Sequence, residues 1–120
     1  MQNKLLIVDD EQDVREFAAN FFKKRKIDVI VASSGEEALK AITNECPKLV
    51  LLDIKMEGID GVETLKRIKE ISKQIKVIML TGKNDEDTQA KTKKLGAFDF
   101  IHKPLELQEL EKVVLKIFNK

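Results

Sequence analysis

The sequence holds no tryptophan or tyrosine, only two prolines and five glycines, and a single cysteine. One cysteine, Cys46, excludes an internal disulfide; it suits a reducing compartment and reads as structural filler. No stretch reaches the roughly 18 to 20 apolar residues that cross a bilayer. Met1 Gln2 Asn3 Lys4 leads into a strand-like run rather than a signal peptide. A soluble cytoplasmic protein without membrane attachment is expected. An excess of one charge sign is missing too: Lys+Arg 22 against Asp+Glu 21 leaves no general electrostatic pull toward nucleic acid. The basic run Lys23 Lys24 Arg25 Lys26 closes an amphipathic segment, where cations suit the helix dipole. What is present is 42% apolar and 36% charged residues in a chain of 120, enough for one core and one expected domain over 1–120.

Five short apolar runs have the length and β-branched content of strands: Leu5 to Val8, Ile27 to Ala32, Leu49 to Leu52, Val77 to Leu80 and Phe98 to Ile101. Between them lie stripes with helical spacing: Val14, Phe17, Ala18, Phe21; Ala38, Leu39, Ile42; Val62, Leu65, Ile68; and finally Leu107, Leu110, Val114, Ile117. Ser34 and Asp60 stand where helix starts need a side-chain acceptor. Strict alternation implies an α/β fold, a doubly wound parallel sheet covered by helices on both faces. Asp28 and Asp99 interrupt the second and fifth runs, so those strands belong at the edges, compatible with the order 2-1-3-4-5. In that order ligands bind beyond the carboxyl ends of strands one and three, where the winding reverses. The segment from Asn84 to Gly96 is helical by position but offers only Thr88, Ala90, Thr92 and Leu95 inward, which predicts the most mobile helix.

Chemistry collects at one edge of this sheet. Asp9 and Asp10 end the first run, and Asp53 ends the third. Three carboxylates brought together repel and raise at least one pKa unless a cation compensates; Mg²⁺, which takes oxygen ligands and phosphate, fits them. Thr81 and Lys103, ending the fourth and fifth runs, add a hydroxyl and an ammonium. The backbone amides of Ile54 and Gly82 are further candidate donors toward a phosphoryl group. Each residue has a plainer reading alone. Asp9, Asp10 or Asp13 suits a helix cap, Asp53 a turn, Lys103 a solvated lysine and Phe100 an edge-strand core aromatic. The joint pattern, complementary groups from four strand ends, favours a site.

Val8 Asp9 Asp10 Glu11, Leu51 Leu52 Asp53 Ile54 Lys55 Met56, Asp60 Gly61, Leu80 Thr81 Gly82 and Lys103 Pro104 together resemble the receiver domain of two-component response regulators over nearly the whole chain. The resemblance implies a flavodoxin-like (βα)5 fold and a signalling role rather than an enzymatic one. In that role a sensor histidine kinase or phosphotransfer protein passes a phosphoryl group to Asp53. It implies Mg²⁺ held by Asp9, Asp10, Asp53 and the Lys55 carbonyl, and phosphoryl contacts from Thr81 and Lys103. Phe100 corresponds to the switch aromatic that remodels the surface of the fourth helix, fifth strand and fifth helix for a downstream effector. The receiver promotes its own phosphorylation and slow autodephosphorylation. A stand-alone receiver and an isolated receiver of a longer transcriptional or enzymatic regulator both fit.

Glu57 replaces a usual proline, which puts the stiffness of that loop in question. Lys55 and Lys83 flank the entrance, where they either slow an attacking water or are simply solvated. The Lys103–Pro104 bond is expected to be cis by resemblance, and His102 to be a surface residue. A nucleotide- or flavin-binding domain is the main rival, but Asp9 Asp10 Glu11 repel a bare phosphate and no GxGxxG follows the first strand. A metal-dependent phosphohydrolase would need a substrate cap that 120 residues leave little chain to build. A degenerate receiver acting only as an interaction module is disfavoured by the intact acidic set.

Overall fold

The computed structural model describes residues 4–56, 58–82 and 85–118. The elements are β1 (Lys4–Val8), α1 (Gln12–Lys23), β2 (Asp28–Ala32), α2 (Gly35–Glu45), β3 (Leu49–Asp53), α3 (Gly61–Ile71), β4 (Lys76–Thr81), α4 (Glu86–Lys94), β5 (Asp99–His102) and α5 (Leu107–Phe118). Every pairing is parallel and the strand order is β2-β1-β3-β4-β5, the doubly wound, flavodoxin-like arrangement that the alternation implies. Parallel strands need crossover helices, which cover both faces, so the central strands must be apolar on both sides. Accordingly Leu5 to Val8, Leu49 to Leu52 and Val77 to Leu80 are all fully buried. The edge strands β2 and β5 put Asp28 and Asp99 in solvent, as their charges require.

The period of two divides the core into two layers. Leu5, Ile7, Leu51 and Ile78 pack with Ala18 and Phe22 of α1 and Leu110 and Val114 of α5. Leu6, Val8, Leu52 and Met79 face Ala38 and Ile42 of α2 and Leu65 and Ile68 of α3. A slip of one residue would exchange the layers, so burial of about 1.5–3 kcal/mol per large apolar side chain fixes the register that aligns the strand tips.

The predicted helix starts are present. Ser34 accepts from the Glu37 amide at 3.1 Å, and Asp60 accepts from the Glu63 amide at 2.9 Å; each such cap contributes about 1 kcal/mol. Of the stripe expected on α1, Ala18 and Phe21 are buried and Val14 is half-buried, but Phe17 is not. Phe22 is fully buried, whereas Phe17 is 43% exposed. Ala18 and Phe22, four residues apart, set the sheet-facing axis, and Phe17 stands about 100° round the helix from Ala18. On α4 only Thr92 is buried; Thr88 and Leu95 are half-buried, and Ala90 faces solvent. A helix with so few apolar groups has little to anchor it. Cys46 is exposed and caps α2 with φ 50°, so it is not core filler. Asn84, Glu57 and Lys83 lie outside the described residues, and with them the expected start of α4, the loop substitution and half of the lysine pair.

Candidate functional site

The carboxyl ends of β1, β3, β4 and β5 meet at one edge. Asp9 follows β1 directly and is fully buried. Its amide donates to the Ala32 carbonyl at 3.2 Å, its Oδ1 accepts from the Glu11 amide at 3.0 Å, and its carbonyl accepts from Arg15 Nη1 at 2.7 Å. Three tethers thus hold the corner into α1, and Asp9 serves as a turn acceptor as well as a pocket carboxylate. The remaining oxygen, Oδ2, has no hydrogen-bond partner among the described residues. It lies 2.8 Å from Lys103 Nζ, an ion pair without hydrogen-bond alignment.

Asp53 is the last residue of β3 and 6% exposed. Its Oδ2 is 3.2 Å from Lys103 Nζ, and its Oδ1 accepts from the Lys55 amide at 3.4 Å. Asp10 is exposed, yet carboxylate oxygens of Asp9, Asp10 and Asp53 all lie within 4.8 Å of one another. Lys103 also reaches Glu11 Oε1 at 3.5 Å. Burial, and then the charge of Asp9, push the Asp53 carboxyl up from 3.8 to about 6, with Lys103 opposing. Burial alone would lower Lys103, but its close contacts with the carboxylates of Asp9 and Asp53 outweigh it and raise its pKa.

Three carboxylates against one ammonium leave the cluster with excess negative charge, and a buried Asp9 oxygen lacks a hydrogen-bond donor. A hard divalent cation answers both, since it takes several oxygen ligands and compensates charge where desolvation is costly. The donor set therefore fits a metal ion.

Thr81 ends β4, fully buried. Its register partner on β5 is His102, and Thr81 Oγ1 lies 2.8 Å from His102 Nδ1. His102 is exposed, as expected, but it is not merely a surface residue. Phe100 is half-buried against the layer containing Met79 and Leu95. Both amides expected as donors are engaged elsewhere in this structure. Ile54 N–H donates to the Leu80 carbonyl at 3.2 Å, so it belongs to the sheet ladder; the amide beside the Asp53 carboxylate is that of Lys55. Gly82 N–H donates to Asp85 Oδ2 at 2.7 Å, and Asp85 Oδ1 pairs with Lys55 Nζ at 3.4 Å. Sequence reasoning overlooked Asp85 and the Thr81–His102 contact. An acid just before the fourth helix was a signal for the first, and the strand register for the second. The Lys103–Pro104 bond is cis.

Comparison with known proteins bears on the family and the fold. The sequence matches the response regulator receiver domain family over residues 5–115. It is 40% identical over 116 residues to sporulation initiation phosphotransferase F of Bacillus subtilis (strain 168), covering 97% of this chain and 94% of that protein. It is 34% identical over 120 residues to the alkaline phosphatase synthesis transcriptional regulatory protein PhoP of the same organism, covering 100% of this chain and 50% of that one. Among solved structures, a response regulator receiver domain protein from Clostridium thermocellum superposes with a TM-score of 0.90 at 32% identity, over 97% of this chain and 94% of that one. A CheY-like receiver domain protein from Methanospirillum hungatei JF-1 gives 0.92 at 28%, over 99% and 96%.

Proposed function

This chain belongs to the response regulator receiver domain family, and on that premise we propose that Asp53 accepts a phosphoryl group from the phosphohistidine of a sensor histidine kinase or phosphotransfer protein. One observation supports this most: a buried carboxylate ends the central strand, 3.2 Å from Lys103 and within 4.8 Å of the oxygens of Asp9 and Asp10. A carboxylate so placed is desolvated and nucleophilic, with opposite charge to hand for the incoming oxygens.

An Asp53 oxygen attacks phosphorus in line; the new P–O bond forms as the P–N bond to imidazole breaks, and the imidazole leaves. Lys103 exchanges its contact with Asp53 Oδ2 for a phosphoryl oxygen. The Lys55 amide, already beside Oδ1, donates to the same group. Gly82 N–H becomes a further donor once Asp85 releases it. Asp9, Asp10, Asp53 and the Lys55 carbonyl would hold Mg²⁺, which when bound neutralises charge on the phosphoryl oxygens. Thr81 then donates its hydroxyl to the phosphoryl group, and the Phe100 ring enters the space it leaves. The altered face of α4, β5 and α5 is what an effector protein reads. Water slowly hydrolyses the acyl phosphate and resets the switch, with Lys55 screening the entrance. Residues 1–120 act as one cytoplasmic receiver unit, without contacting nucleic acid or membrane.

Incubation with acetyl phosphate and Mg²⁺ followed by intact-mass measurement tests the proposal. The wild-type protein gains one hydroxylamine-labile phosphoryl group and Asp53→Asn gains none; equal labelling of both, or labelling of neither, refutes it.

A further inference from the structure

Thr81 and His102 are register partners on adjacent parallel strands, so their side chains emerge side by side on one face of the sheet. Thr81 is fully buried, and a buried hydroxyl proton needs an acceptor. Among the described residues the only partner of Oγ1 is His102 Nδ1, at 2.8 Å. The tautomer with its ring proton on Nε2 leaves Nδ1 free to accept from Thr81 and is the one that satisfies this hydroxyl. That assignment has a consequence for the switch. A hydroxyl has one proton, and the proton that would reach a phosphoryl oxygen is the one that His102 holds.

We propose that His102 is a positioning residue for Thr81, a latch that keeps the hydroxyl in its resting orientation and so sets how readily the pocket passes to its phosphoryl-bound state. The latch opposes that passage, because the bond to Nδ1 breaks before Thr81 can donate elsewhere. A charge-assisted bond to a phosphoryl oxygen is the stronger of the two, so the latch tunes the equilibrium without blocking it. Phe100 precedes His102 by two residues and lies on the same face of β5. One short edge strand thus carries both the latch and the aromatic expected to follow Thr81. The side chain is exposed, so its replacement costs little packing and its effect can be isolated.

This inference rests on the phosphoryl-acceptor reading, and its test separates the two. The probe is beryllofluoride, a phosphoryl mimic, titrated calorimetrically in the presence of Mg²⁺. A neutral hydrogen bond of ordinary strength corresponds to about a 2- to 12-fold change in an equilibrium, so His102→Ala is expected to tighten beryllofluoride binding about fivefold. His102→Asn, whose Oδ1 replaces Nδ1 as acceptor, restores the wild-type midpoint. In a Thr81→Val background, where no hydroxyl remains to hold, His102→Ala has no further effect. An unchanged midpoint in His102→Ala, an effect that persists in the Thr81→Val background, or His102→Asn matching His102→Ala each overturns the latch while leaving Asp53 as acceptor. Failure of the wild-type protein to bind beryllofluoride overturns the latch and the acceptor reading together.

Discussion

Replacing Asp53 by asparagine is expected to stabilise the metal-free protein. The Asp53 carboxyl is held at about 6 in the fold against 3.8 when solvated, so between those values the native state binds a proton that the unfolded chain has released. Stability then falls as pH rises through this window, because the folded state must eventually ionise a group that burial and Asp9 disfavour. The difference of about 2.2 pH units, at 1.36 kcal/mol each, is about 3 kcal/mol by pH 7.5. Asparagine keeps the shape without the charge, but its amide is imperfectly matched to Lys103, so a gain of about 1–3 kcal/mol is expected. At about 4 °C per kcal/mol for a domain of this length, that is a rise in Tm of about 4–12 °C. With no tryptophan or tyrosine in the chain, circular dichroism at the helix band is the assay, in EDTA, from pH 4 to 7.5. The gap between variant and wild type opens as the pH rises through this range. Equal stability at pH 7.5, or a wild type more stable than the variant, would show that Lys103 fully compensates Asp53 and that the reasoning is wrong.

Two further outcomes follow from the same geometry. A proton on Asp53 competes with a metal ion for its oxygens, so Mg²⁺ affinity, measured by calorimetry, should be about fourfold weaker at pH 5.5 than at pH 8; an affinity independent of pH contradicts the raised Asp53 pKa. At Gly61 a β-carbon would stand 2.6 Å from Ile54 Cα and clash with the Asp53 carbonyl, so Gly61→Ala is expected to cost about 1–3 kcal/mol or more and to slow phosphoryl acceptance. Among the described residues, Gly82→Ala meets only Asp85 Oδ2, at 3.5 Å, and should leave Tm near wild type; similar losses from both would show that the clash at Gly61 is not the cause.

The sheet was legible because its strands carry opposite signatures. Leu49 to Leu52 and Val77 to Leu80 are uninterrupted, whereas Asp28 and Asp99 break their runs, and a charge can only be solvated at an edge. The tips were legible for a related reason: Asp9, Asp53, Thr81 and Lys103 each follow an apolar run, and parallel pairing delivers all four to one end. Phe17 against Phe22 was not legible, because both satisfy a helical period and only packing on β1 and β3 selects the axis. Nor was the amide donor. Whether Ile54 or Lys55 faces the Asp53 carboxylate depends on where the ladder to β4 ends, a matter of backbone geometry. The Asp85 bond to Gly82 depends on a loop path, which composition does not specify. His102 was read as a lone surface histidine, although the alignment of Thr81 with the residue before Lys103 was already implicit in the strand order.

β3 occupies the middle of the five strands and is hydrogen-bonded along both flanks. The proposed acceptor thus ends a strand held on both flanks, whereas Thr81 lies one strand out and His102 and Phe100 share the edge strand β5. On the proposed reading, chemistry falls on a strand paired on both sides, and displacement is left to the rim. The geometry acts as a one-way lever: its fulcrum is the anchored aspartate, and its free arm is the outermost strand.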